Sequence, residues 1–319
     1  MRRWLVMALI LLQSLVAGCE RESAAPLRIG TNVWIGSEPL YLARELGALD
    51  SRTVRLVEYP SASEVLRAFR NQALDGMVIS LDEVLSLAAD GLQPIVVLVV
   101  DVSDGADVVL GRAGLESMRD LQGKRIAVES GAVGAYVLSR ALTLNAMAPA
   151  DVQIVHLESN EHPLAFEQGR VEAAVSFDPY RSQILRAGAV TLFDSTRIPG
   201  EIVDLLTVRR EVLEHNPQRV ASMLKGWFAA LDHLAREPDD AASRMGVRHQ
   251  INGAQFRERL RGLRFPDLDE NLRMLDGHTP GLARSGQRLV SLMQDAKLLA
   301  DPVDIAALLE SGPLRAQRP

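Results

Sequence analysis

The strongest constraint on the fold is an alternation that begins at Leu27 and persists for about 180 residues. Short β-rich runs at 27–34, 53–59, 76–80, 94–100, 107–111, 125–129, 152–157, 171–177, 190–193 and 203–209 are separated by helical patterns at 40–46, 62–71, 81–90, 134–144, 161–168 and 179–186. In 81–90 the apolar residues Leu81, Val84, Leu85 and Ala88 recur at i, i+3, i+4 and i+7, one face of a helix. Alternation of this kind predicts an α/β protein with mainly parallel sheets flanked by helices. After Arg209 the pattern is entirely helical, and Pro217 opens a long amphipathic helix with Met223, Leu224, Trp227, Phe228 and Leu231.

Two segments read as crossovers between lobes. The first, 101–107 (DVSDGAD), carries Gly105 among acidic turn formers. The second, 195–204 (STRIPGEIVD), carries Pro199-Gly200 before an apolar strand. Each would serve as an ordinary surface turn, but together they bracket about a hundred residues of βα pattern. The expected organisation is one lobe from 27–104 with 203–319, a second from 105–202, and a hinge made of the two crossovers.

The N-terminal end precedes this pattern. Arg2 and Arg3, the apolar run from Trp4 to Leu12, and Leu15-Val16-Ala17-Gly18 have the layout of a secretory signal over 1–18. The run is too short and interrupted to span a membrane comfortably. The chain's one Cys, Cys19, follows directly, as in a bacterial lipobox, so lipidation of Cys19 and a short tether over 19–26 are expected. That predicts a protein on the periplasmic side of a bacterial membrane.

Composition narrows the function. In 319 residues there are 35 Lys and Arg against 41 Asp and Glu, a formal net charge of −6. This argues against a nucleic-acid partner, which needs clustered cations. A single Cys excludes an internal disulfide and a Cys-rich metal module. The six His (156, 162, 215, 233, 249, 278) form no i, i+4 pair, so no metal site is expected. No G-x-S-x-G, Walker loop or G-x-G-x-x-G occurs. No cofactor is called for.

Three stretches carry a resemblance: RIGTNVWIGSEPLYLAREL (28–46), a strand, a polar turn and a helix start; ESGAVG (129–134), a small-residue helix start after a strand; and SFDPY (176–180), a strand end. With the lipobox, they resemble, in kind and order, the nitrate/sulfonate/taurine-type substrate-binding proteins of ABC importers, a group that includes thiamine-precursor binders. The resemblance implies a two-lobed periplasmic-binding-protein type 2 fold, a ligand in the cleft, a monomer, and docking of the closed form on an ABC permease. A ligand-sensing module for a membrane signalling receptor would share the same sequence features. Pyrimidine-synthesising relatives of the fold use a Cys-rich iron motif that is missing here, so an enzyme is not expected.

Open α/β sheets bind ligands at the carboxyl ends of strands, which selects the candidate contacts. Trp34 would stack on a ligand, or sit in the core; Gly36, Ser37 and Glu38 follow it, and Glu38 would accept ligand hydrogen bonds or serve only the helix dipole. Ser80, ahead of Asp82, is a ligand contact or an N-cap. Ser130, Gly131, Ala132 and Gly134 surround a helix N-terminus with free N–H groups. Asp178 and Tyr180 follow the strand at 171–177, and Asp101 and Asp107 flank the first crossover. Glu38, Asp82, Asp101, Asp107, Glu129 and Asp178 are all carboxylates at strand ends or hinges, with no Lys or Arg at those points. The expected ligand is therefore a small polar nitrogen-containing solute, cationic or neutral, in preference to an inorganic anion.

Overall fold

The computed structural model describes residues 25–276 and 281–318. The signal segment, Cys19, most of the tether and His278 lie outside the described residues.

Among the described residues, eleven strands form two sheets. The first half of the chain gives β1 (Leu27–Asn32), α1 (Glu38–Glu45), β2 (Val54–Tyr59), α2 (Ala62–Arg70), β3 (Gly76–Ser80), α3 (Leu81–Ala89), β4 (Pro94–Ser103), β5 (Val108–Arg112), β6 (Arg125–Val128) and α4 (Val133–Leu144). There follow β7 (Gln153–His156), α5 (His162–Glu167), β8 (Ala173–Ser176), α6 (Tyr180–Arg186), β9 (Ala189–Asp194) and β10 (Val203–Arg209). The remainder is α7 (Arg210–His215), α8 (Pro217–Arg236), α9 (Pro238–Arg248), α10 (Gly253–Leu260), β11 (Leu263–Arg264), α11 (Leu268–Leu275), α12 (Gly281–Asp295) and α13 (Gly312–Arg315).

The first sheet has the order β11-β4-β10-β3-β1-β2 and the second β7-β6-β8-β5-β9. Both are mixed, which corrects the expectation of mainly parallel sheets. β1 runs parallel to β2 and β3, and β6 parallel to β7 and β8. β10, however, lies antiparallel between β3 and β4, and β5 antiparallel between β8 and β9. The cause is the pair of crossovers. β10 returns from the second sheet and enters the first from the far end, and β5 enters the second sheet in the same manner.

β4 (PIVVLVVDVS) is buried along its whole length, as a central strand covered on both faces requires. Helices α8 to α12 close over the first sheet, and Trp227 of α8 is fully buried in its core. The second sheet has a separate core cluster around Val109 and Val137, and another around Phe166 and Ile184. The crossovers lie side by side. The Ser103 and Ser195 hydroxyls are hydrogen-bonded at 2.8 Å, and Ser195 Oγ also accepts from the Gly105 N–H at 2.6 Å. Gly105 takes φ +104°, a conformation that favours glycine.

Candidate functional site

A cavity lies between the lobes, where the carboxyl ends of β1, β3 and β8 meet the N-terminal ends of β5 and β10. Space for the centres of water-sized spheres is about 40 Å3, roughly three waters at ~10–15 Å3 each. The first sheet supplies Asn32, Trp34, Ser80, Glu83 and Asp204; the second supplies Asp107, Glu129, Ala132, Gly134 and Ser176. Val78, Ile79, Val175, Phe177 and Ile202 form its apolar wall.

Four carboxylates therefore face one small space, and no Lys or Arg is among its lining residues. Burial sets their protonation. Asp107 is pushed up to about 6, chiefly by burial. Glu83 is raised well above the usual carboxylate range by burial and by the neighbouring Asp82, and Asp204 likewise by burial and by Asp101. Burial also raises Glu129. Behind this layer, burial lifts Asp101 to about 7 and Asp82 to about 6. His162, also on the wall, is held below its ordinary value by burial, so it offers no counter-charge near neutral pH.

Register explains the grouping. Asp204 of β10 pairs with Ser80 of β3 on one side and Asp101 of β4 on the other, so the three stand abreast at the cleft end of the first sheet. Glu83, in the first turn of α3, accepts from the Ser80 N–H at 2.9 Å, and the Ser80 hydroxyl donates to Asp82 Oδ1 at 2.6 Å. Ser80 thus holds the helix start and also lines the cavity.

Contacts across the cleft hold the lobes together. Trp34 packs edge-to-face on Phe177, with ring centroids 5.2 Å apart. Glu83 Oε1 accepts from the Val133 N–H at 3.3 Å, and Glu129 Oε1 accepts from the Ser63 N–H at 2.7 Å. The Tyr180 hydroxyl donates to the Pro60 carbonyl at 3.0 Å.

Of the residues expected at the cleft, Trp34, Ser80, Asp107, Glu129, Ala132 and Gly134 line the cavity. The others stand apart from its lining. Glu38 is fully buried against α9, paired with Arg248 at 3.1 Å and His249 at 3.0 Å, so a cation does stand opposite this helix start. Asp178 pairs with Arg259 of α10 at 3.5 Å and accepts from the Ser182 hydroxyl. The expectation that these carboxylates lack a cation fails because both partners come from helices far along the chain. Asp101 is wholly buried one layer behind the cavity and accepts from the Trp34 indole N–H at 3.2 Å. Gly36 leaves room for that bond, since a Cβ there would collide with the Asp101 carboxyl and the Trp34 indole. The Ser37 hydroxyl is buried without a hydrogen-bond partner. Ser130, exposed, bonds His156, and Gly131 is an exposed turn at φ +81°. Tyr180 bridges the lobes rather than facing the space.

Glu83, Asp204, Ser176 and Asn32 were not expected. Asp204 stands at the N-terminal end of its strand, which reaches the cleft only because β10 runs antiparallel. Glu83 sits in the first turn of the helix that Ser80 caps.

Two mixed sheets joined by paired crossovers around a cleft lined by acids and apolar side chains define a periplasmic-binding-protein fold. Solved structures of this kind superpose over most of the chain. The alkanesulfonate-binding protein SsuA from Xanthomonas axonopodis pv. citri bound to MOPS gives a TM-score of 0.75 at 21% identity, covering 90% of this chain and 99% of that one. The ligand-binding component of an ABC-type import system from Staphylococcus aureus gives 0.76 at 13%, covering 91% and 98%. The desulfurization enzyme DszB shares the fold at 0.66 and 15%, covering 91% and 98%. The chain belongs to the NMT1-like family, whose model matches residues 20–247. The taurine-binding periplasmic protein of Escherichia coli (strain K12) is 26% identical over 271 residues, 83% of this chain and 77% of that protein. A second protein of that strain, provisionally named an aliphatic sulfonates-binding protein, is 27% identical over 239 residues, 73% and 74%.

Among the described residues, no helix is long and apolar enough to cross a membrane, and no group of three or more His, Cys, Asp or Glu is placed to hold a metal ion.

Proposed function

We propose that this chain is an extracytoplasmic solute-binding protein that captures a small nitrogen-containing solute, cationic or neutral, between its lobes and delivers it to an ABC import permease. The family and the binding proteins among its relatives support the capture-and-delivery part. In this reading the lobes, 27–104 with 203–319 and 105–202, close about the two crossovers in a monomer. Cys19 carries a lipid that keeps the protein on the periplasmic side of a membrane.

The observation that carries the ligand class is the wall of the cavity: Glu83, Asp107, Glu129 and Asp204, with no Lys or Arg among the lining residues. An anionic headgroup placed there would find four buried acids and no cation among the lining residues, and its charge would add to burial in keeping those acids from ionising. An ammonium or amidinium would offer N–H donors and would draw the carboxyls back to their ionised form. Trp34 adds an aromatic surface that favours a cation, and Ala132 and Gly134 allow close approach. Gly36, Ser37, Glu38, Asp101, Ser130, Gly131, Asp178 and Tyr180 act around this contact set, by holding the Trp34 turn, the helix starts and the closed cleft.

A thermal-shift panel tests the reading on the Cys19→Ser chain produced from residue 19. The panel contains primary amines, guanidines, aminopyrimidines, alkanesulfonates and nitrate. A ligand at a hundred times its Kd stabilises the fold by ~2.7 kcal/mol. The expected hits are amines, guanidines or aminopyrimidines. Hits confined to sulfonates or nitrate would contradict the ligand class.

A further inference from the structure

Two of the helix starts that face the cavity, those of α4 and α2, are each met by an acid from the other lobe. Glu83, on the first-sheet side, reaches the first turn of α4, a helix of 12 residues in the second lobe, and accepts from the Val133 N–H. Glu129, on the second-sheet side, reaches the first turn of α2, a helix of 9 residues in the first lobe, and accepts from the Ser63 N–H. A helix start offers unpaired N–H groups and the positive end of the dipole, and so attracts an anion. Ala62, Ala132, Val133 and Gly134 put both starts on the cavity wall. The positions that would hold an anionic ligand group are therefore occupied by the protein's own carboxyls, reciprocally across the cleft.

A separate observation concerns what is left over. The Ser176 hydroxyl is buried, lines the same cavity and has no hydrogen-bond partner. Glu129 Oε2 is buried and unpartnered as well. A buried carboxylate oxygen needs a donor, and a hydroxyl can accept one. Both atoms can accept from an N–H group placed in the cavity.

We propose that Glu83 and Glu129 are the specificity-determining residues of the cleft, acting as built-in acids that occupy these two helix starts, exclude sulfonates and other anionic solutes, and ionise to admit a small organic cation. The inference rests on the reading of the cleft as a solute site and adds the residues that set the ligand's charge. The same two contacts join the lobes, so removing them widens the cleft.

The test uses two probes matched in size, methylguanidinium and methanesulfonate, titrated calorimetrically into the Cys19→Ser chain. Spin labels at Arg55→Cys and Glu167→Cys, one exposed position in each lobe, report the interlobe distance. In the parent chain, methylguanidinium binds and methanesulfonate does not. Glu83→Ala with Glu129→Ala gains methanesulfonate binding at least tenfold, and its labels move apart. Glu83→Gln with Glu129→Gln keeps the side-chain shape, serves if the alanine pair does not fold, and loses methylguanidinium affinity at least tenfold. A glutamine pair that binds methylguanidinium as tightly as the parent, or a parent that takes methanesulfonate as readily as the alanine pair, would overturn the proposal. The reading on which it rests fails differently. If the parent binds neither probe nor any solute of the panel while the labels still separate in the variants, the interlobe role stands and the solute-site reading falls.

Discussion

Glu38 and Glu83 occupy equivalent places in neighbouring units of the first sheet. Each lies in the first turn of a helix that follows a parallel strand, β1 for Glu38 and β3 for Glu83, and each is almost fully buried. Their surroundings are opposite. Glu38 meets Arg248 and His249 at the end of α9, about two hundred residues further along the chain, and forms part of the packing between α1 and α9. Glu83 accepts from the Ser80 and Val133 N–H groups and faces the acids Asp82, Glu129 and Asp204. A carboxylate at a helix start is a structural charge where a distant segment brings a cation, and a binding charge where none arrives. The local motif is the same in both places, and the long-range partner decides.

Removing Glu38 gives the largest expected effect. Glu38→Ala leaves the half-buried Arg248 with only Glu58 as an acidic partner and strands His249, at a cost of about 3 kcal/mol, the lower end for breaking a buried pair. Urea unfolding measures it, and methylguanidinium affinity in the folded fraction should stay within about twofold of the parent. A ligand defect without a stability defect would erase the contrast between the two helix starts.

Next comes Gly36→Ala. The added Cβ forces the Trp34 indole off Asp101 at an overpacking cost of about 2 kcal/mol. Trp34 then leaves Phe177, and the tryptophan emission spectrum should shift to longer wavelength. An unchanged spectrum would show that the Trp34 turn tolerates the extra atom.

Glu83→Gln reverses the pattern of Glu38→Ala. Stability changes by less than about 1 kcal/mol, because a carboxamide oxygen still accepts from Ser80 and burial already holds Glu83 toward its neutral form, which the amide mimics. Loss of a charged hydrogen-bond partner weakens methylguanidinium by about 1.5 kcal/mol, roughly tenfold. Calorimetry separates the two quantities.

The smallest effect is on pH. Burial holds Asp82 and Asp107 near 6 and Asp101 near 7, all above the unfolded value near 3.8. Over that interval the folded protein binds more protons than the unfolded chain, so stability falls as pH rises. Tm of the unliganded chain should drop by a few degrees between pH 5.5 and 8. Cation affinity should rise over the same range, as the acids ionise. A Tm that climbs with pH would contradict this account of the buried acids.

The fold was largely legible because helix and strand periodicities are local. The alternation marked all of β1 to β10, and turn formers marked both crossovers. Strand direction was not legible. The rule that ligands gather at carboxyl ends applies to parallel strands, and it led to Trp34, Ser80, Ala132 and Gly134. It passed over Asp204, whose antiparallel strand brings its N-terminal end to the cleft. The carboxylates at strand ends were legible, and Asp107 and Glu129 among them line the cavity, yet the cations opposite Glu38 and Asp178 were invisible because Arg248 and Arg259 sit in α9 and α10, with no local signal linking them to those helix starts. Cross-lobe contacts such as Glu83 with Val133 were hidden for the same reason.

The most direct test of the central claim is calorimetric titration of the Cys19→Ser chain at pH 8 with methylguanidinium and, separately, with methanesulfonate. Saturable binding of the cation and none of the sulfonate is the predicted result. Saturable binding of methanesulfonate without binding of methylguanidinium would contradict a cleft whose ligand charge is set by its own carboxylates.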